Sequence, residues 1–192
     1  MVGILKNHFI TRHLNNGVYA WTLTTYLGHF ITKAESIAAK RDLSWTILGI
    51  EFYGNTPMTY YPHTGEKHVV IRLSEKAAGN RGQATYQLAH EAMHLISPGG
   101  PENRALSFEE GLCTRFQDAV AWEYEKYSSP AKDPYAGPKA DVDQLLGLNP
   151  SAIMDIRALE PRLWLVTPEI IQRAVPKVTN VLAERLCSKF PT

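Results

Sequence analysis

"QLAHEAMHLI", residues 87–96, places His90, Glu91 and His94 in a run that is otherwise apolar and carries almost no turn signal. That composition predicts a buried helix over about 82–96. Four residues is close to one helical turn, so His90 and His94 project from the same face. Two imidazoles at that spacing can approach one zinc ion, each at about 2.0–2.1 Å. Glu91 is rotated about 100° around the helix axis from His90. It sits beside such an ion rather than on it, where a general base that activates water is needed. The pattern is H-E-x-x-H, whose chemistry is metal-assisted hydrolysis. Leu88, Ala89, Ala92, Met93, Leu95 and Ile96 bury the helix and give the site a dry wall. The bland alternative is a chance motif in a metal-free protein, but two histidines in a buried helix must find hydrogen-bond partners or a metal.

Downstream, "SPGGP" (97–101) stops this helix. A second helix is predicted to start between Asn103 and Ser107 and to run to about Tyr127. A catalytic zinc takes three protein ligands and leaves the fourth position open. Metzincins carry glycine and histidine three and six residues after the second motif histidine; this chain has Ser97 and Gly100 there, which excludes that class. The second helix offers "LSFEEGLCTRF" (106–116), with adjacent Glu109 and Glu110, of which one is expected to face the metal. Ser107 to Glu110 also reads S-x-x-E, a capping box in which Glu110 bonds back to the Ser107 amide. The two roles compete for one carboxylate.

The pairing of "HEAMH" with "FEEGLCTRF" resembles the gluzincins, the thermolysin- and aminopeptidase-like zinc peptidases. These carry HExxH on one helix and a third-ligand glutamate on the next. The resemblance covers about residues 67–116, and the short His94-to-Glu110 interval is nearest the small, single-domain members. It implies a zincin-like peptidase with Glu110, the residue before Gly111, as third ligand and Glu109 on a flanking position. Thr114, one turn after Glu110, is then placed to support the ligand set by hydrogen bonding. One zinc ion per chain is expected, and a peptide or protein is the implied substrate. A zinc-stabilised, non-catalytic binding protein on a degenerate peptidase fold is the alternative; its sign would be a fourth protein ligand in place of water.

Hydrolysis also needs a donor for the developing oxyanion. The candidates are Tyr60, Tyr61 and His63 before the motif helix and Tyr124, Tyr127 and Tyr135 after the glutamate helix. Spacing does not choose among them. His8, His13, His29 and His68 show no ligand partner at useful spacing and read as ordinary histidines. Cys113, three residues beyond Glu110, reads as a small buried residue rather than a thiolate ligand. With Cys187 it makes two cysteines in all, too few for a disulfide framework and outside any CxxC pair. Free thiols in a reducing compartment follow.

Elsewhere, apolar positions Ile31, Ala34, Ile37 and Ala38 predict a helix over about 30–42. Residues 44–53 and 68–74 read as strands, the second buried on both faces and either central or an edge on which an extended peptide pairs. Residues 54–67 read as a loop or loose hairpin and 128–141 as a connector, with a substrate-side flap as the alternative. Short helices are predicted at about 141–147, 150–160, 168–175 and 178–189, with Pro150 and Pro168 in first turns. The order implies a single α+β domain over residues 1–192: helix and strands to about 80, motif helices at about 82–127, and a helical region at about 141–190. The sequence is 44% hydrophobic and 20% charged, with a net charge of +1 and scattered basic residues, which argues against nucleic acid and anionic membranes as partners. The apolar stretch 17–31 is too short to span a bilayer, and the N-terminus lacks the pattern of a signal peptide, so a cytoplasmic protein is expected.

Overall fold

The structure, a computed structural model, describes residues 22–63, 65–129 and 134–191. Within them the chain forms α1 (Leu23–Ala38), β1 (Thr46–Phe52), β2 (Met58–Tyr60), β3 (His68–Leu73), α2 (Arg81–His94), α3 (Ser107–Glu125), α4 (Ala136–Leu148), α5 (Ala152–Leu159), α6 (Pro168–Ala174) and α7 (Asn180–Cys187). Short 3-10 turns lie at Glu75–Gly79 and Leu163–Leu165. The small sheet precedes the main helical region, an α+β arrangement. Among the described residues no helix is long and apolar enough to cross a membrane. His8 and His13 lie outside the described residues, as does most of the N-terminal segment.

The motif helix α2 is the centre of the packing. Asn80 caps it by accepting from the Gln83 N–H at 2.9 Å. Ala84, Leu88, Ala89, Ala92 and Met93 have no exposure at all. Its third turn is tied to the end of β3 through Gln87, whose carbonyl oxygen accepts from the Ser74 N–H at 2.9 Å and whose amide donates to Ser74 Oγ at 2.8 Å.

Helix α3 lies against α2. Leu106 is its cap residue and supplies no side-chain hydrogen bond. The Ser107 N–H donates instead to the Ser188 carbonyl at 2.8 Å, so the expected capping box does not form. Glu110 is thereby free to turn toward α2. Next to it, Gly111 lets α4 approach closely: a Cβ there would lie 2.2 Å from the Pro138 carbonyl oxygen. The expected connector over 128–141 is therefore partly helix, since α4 begins at Ala136 and takes Pro138 into its first turn. Residues 130–133 of that stretch lie outside the described residues.

The sheet has strand order β1-β3-β2, with β1 parallel and β2 antiparallel to β3. Strand β3 is central. Val69, Ile71 and Leu73 are fully buried, whereas Val70 and Arg72 between them are only partly so; one face, not both, meets the core. Strands β1 and β2 are the edges, and β2 forms inside the stretch expected to be a loop or loose hairpin, its antiparallel pairing with β3 making the hairpin. Thr59 pairs with Ile71 and so points to the buried face, toward α2.

Helix α1 starts earlier than its predicted range and buries Tyr26, Leu27, Phe30 and Ala34, leaving Ile37 40% exposed. Its C-terminal carbonyls are gathered by the buried guanidinium of Arg157, which donates to Ala38, to Ala39 at 3.1 Å and to Lys40 at 3.2 Å. Helix α5 starts at Ala152 rather than at Pro150, while Pro168 opens α6 as expected.

Gly111→Ala should destabilise the protein by about 1–3 kcal/mol, because the new methyl must displace backbone rather than a flexible side chain. Gly28→Ala, in α1 with open space around the added carbon, should instead stabilise it by up to about 1 kcal/mol. Denaturant unfolding of both variants checks the pair, and equal effects would mean that α4 does not rest on Gly111.

Candidate metal centre

Helices α2 and α3 bring four ionisable side chains to one point. The Nε2 atoms of His90 and His94 face each other at 3.2 Å. The Glu110 carboxylate meets both, at 3.1 Å from His90 Nε2 and 3.4 Å from His94 Nε2. The opposite ring nitrogens are engaged: His90 Nδ1 bonds Gln117 Oε1 at 2.9 Å, and His94 Nδ1 bonds Glu109 Oε1 at 2.7 Å. Both partners accept, so both Nδ1 atoms donate and the neutral rings turn Nε2 lone pairs inward. Two lone pairs and the two oxygens of one carboxylate, Oε2 toward His90 and Oε1 toward His94, then converge, an arrangement that repels itself unless a proton or a cation lies among them.

The spacing fits a cation. Ligand atoms at about 2.0–2.1 Å from a tetrahedral ion lie roughly 3.3–3.4 Å apart, against the 3.1, 3.2 and 3.4 Å found here. The outer partners fit as well, because a metal-binding histidine commonly donates its second nitrogen to a carboxylate or carbonyl that fixes the ring. Cys113, fully buried, belongs to the same neighbourhood: His90, His94 and Cys113 bring ligand atoms within 4.8 Å of one another and form a buried cluster able to hold a metal ion.

Glu91 is buried beside the histidines, and its Oε2 accepts from Thr59 Oγ1 at 2.9 Å. Burial pushes its carboxyl above the ordinary value, against the pull of His90 and His94. Glu110 behaves oppositely: burial would raise it, but the two imidazoles hold it well below the usual carboxylate range. Burial also opposes protonation of His94, yet Cys113, Glu110 and Glu109 around it raise it well above its ordinary value.

A cleft of about 540 Å³ opens over these residues. Tyr135 lines it with its ring edge-on to His90, the centroids 5.9 Å apart, and burial followed by Glu110 and Glu91 pushes its hydroxyl up. Tyr127 lines it further along α2, against Tyr86. Tyr61 also lines it, packed on Trp45. Tyr124 does not; it packs on Tyr26 and Phe30 of α1. His63 is exposed beside His68, away from the cleft. Thr114 is buried, but its hydroxyl donates at 2.8 Å to the main-chain carbonyl of Glu110, not to its carboxylate. The roles played by Gln117, Glu109 and Thr59 were not anticipated. Gln117 was detectable in principle, being seven residues and so two turns beyond Glu110.

Scans of the chain against family models, curated proteins and solved structures return no match.

In metal-free protein, His94 should titrate above its ordinary value of 6.5. Its protonated form stabilises the fold below about pH 6.5, and this contribution disappears as pH rises through the raised folded value. Glu110→Gln removes an anionic neighbour and should bring the His94 titration down. Imidazole NMR on chelated protein reads this directly; an unmoved titration would show that Glu110 does not act on the ring.

Proposed function

We propose that this chain is a zinc-dependent hydrolase of a peptide or other amide bond, with His90, His94 and Glu110 as metal ligands and Glu91 as general base. The observation that carries the proposal is the mutual 3.1–3.4 Å approach of His90 Nε2, His94 Nε2 and the Glu110 carboxylate, with each Nδ1 already donating outward. Two imidazoles and one carboxylate are a donor set suited to catalytic zinc. When bound there, zinc acidifies water and polarises a carbonyl oxygen.

The chain's own residues supply the remaining chemistry. Glu91, kept basic enough by burial, takes a proton from the attacking water as its oxygen bonds to the carbonyl carbon. It then passes that proton to the nitrogen as the carbon–nitrogen bond breaks. Thr59 holds the Glu91 carboxylate in place. Tyr135, a neutral phenol at the cleft wall, is the candidate best placed to donate to the oxyanion. A peptide substrate is favoured by the edge strand β2, whose Met58 and Thr59 line the cleft together with Asn55, Thr56 and Pro57 of the turn before it. An edge strand can take up an extended peptide by main-chain pairing.

A closed, structural metal site is the competing possibility, and Cys113 is the residue that favours it. In cobalt-substituted protein, thiolate ligation would add a near-ultraviolet charge-transfer band that Cys113→Ser removes; its absence supports the open site.

Metal analysis after purification should find one zinc per chain in the wild type and loss of it in Glu110→Gln. Glu109→Gln should still bind zinc, about 10–100-fold more weakly. Glu91→Gln should keep the metal and lose at least about 100-fold in turnover. Full zinc occupancy in Glu110→Gln would remove that residue from the ligand set, and no zinc in any variant would refute the hydrolase proposal.

A further inference from the structure

Resting on that hydrolase reading, we infer that the chain cleaves inside an extended, uncharged stretch of polypeptide rather than at a free chain end. The floor of the cleft is one stripe of α2: Gln83, Tyr86, Gln87, His90, Glu91 and His94. Their spacing of three, one, three, one and three residues is that of a single helical face. From Gln83 to His94 the stripe is about 16 Å long at 1.5 Å per residue, the reach of roughly five extended residues.

The histidines and Glu91 do not sit at a blind end of this floor. On the side toward the start of α2, Tyr86 and Tyr127 form a wall, their rings 5.7 Å apart at 63°. Beyond the end of α2 the cleft is lined further by Tyr61, itself seated on Trp45, by Gly99 and by Trp164. Gly99 brings Trp164 against the turn there, since a Cβ would lie 3.2 Å from the indole ring. Aromatic walls thus stand on both sides of the reacting centre, and a chain lying in the cleft continues in both directions.

Charge supports the same conclusion. A terminal carboxylate or ammonium must be held by a fixed opposite charge when it is taken out of water. Among the described lining residues there is no lysine or arginine. The carboxylates that line it, Glu91, Glu109 and Glu110, are all at the histidines and hydrogen-bonded to Thr59, His94 and His90. A chain ending in a carboxylate would meet three anions against one divalent zinc and, among the described lining residues, no lysine or arginine. Acidic side chains next to the cleaved bond would meet the same field. The rest of the described wall is neutral: Asn55, Thr56, Gln83 and Ser129 offer hydrogen bonds, and Pro57, Met58 and Ala105 apolar contact.

The experiment uses one quenched fluorescent peptide in four forms: free at both ends, N-acetylated, C-amidated, and blocked at both. Products are read by mass spectrometry with zinc-loaded protein. The doubly blocked form should be cut at an internal bond with kcat/KM within about threefold of the free form. An aspartate beside the cleaved bond should lower kcat/KM at least about tenfold. Binding is read separately in Glu91→Gln, where the doubly blocked peptide should change tryptophan fluorescence and Trp164→Phe should remove that change. Cleavage that requires a free end and sheds terminal residues would overturn this inference and leave the hydrolase reading standing. No cleavage of any form, with or without binding in Glu91→Gln, would overturn both.

Discussion

The contact between α2 and α3 has to bury His90, Glu91, Glu109 and Glu110, with His94 half-buried beside them, in a largely apolar core. An unpaired buried charge or polar group costs several kcal/mol, more than most side chains contribute by packing. The interface is tolerable because every member has a partner. Gln117 and Glu109 take the outer ring nitrogens, Thr59 takes Glu91, and the two Nε2 atoms share Glu110. Removing one member leaves others unsatisfied, so the five act as a unit rather than as separate contacts.

That unit explains features of the fold that have no local cause. Strand β2 is only three residues long, yet its pairing with β3 aims Thr59 at Glu91. Gly111 gives up a side chain beside Glu110 so that α4 can close on α3, and α4 in turn begins next to Tyr135 at the cleft wall. Ser107 forgoes its own cap role, its N–H passing to Ser188 at the end of α7. Each device sets the position or the freedom of a group at the two histidines.

The part of this legible in the sequence is the part written at helical spacing. His90 and His94 four apart, the stop at "SPGGP" and the glutamate pair on the next helix required no tertiary knowledge, and the helix limits agree within two residues. Local rules failed where a distant residue outbid them. Ser107 and Glu110 satisfy a capping-box pattern, but Ser188 claims the amide and the histidines claim the carboxylate. Thr114 has the right phase but bonds its own helix backbone, the nearest acceptor for a buried hydroxyl. Tyr124 also lies near the Glu110 phase, but fourteen residues along the helix is about 21 Å away, and there it meets Phe30 of α1. Strand β2 was only half legible: Gly54, Asn55, Thr56 and Pro57 left a loop and a loose hairpin both open, and pairing with β3 decides for the hairpin.

Glu110 and Cys113 pose the remaining physical choice, since both stand on α3 within reach of the same histidines. They are three residues apart and therefore about 60° apart in helical phase. That angle separates two surroundings. Glu110 lines the cleft, whereas Cys113 has no exposure and lines nothing. A cation held with Glu110 would lie toward the cleft and open to water, whereas one held with Cys113 would lie toward the buried side. Burial pushes the metal-free thiol up to about 12, which leaves it a neutral, weakly polar filler there. The carboxylate is already ionised and already at ligand spacing. Helical phase thus supports the proposed oxygen ligand over sulfur, since Glu110 and not Cys113 stands on the cleft side of the histidines.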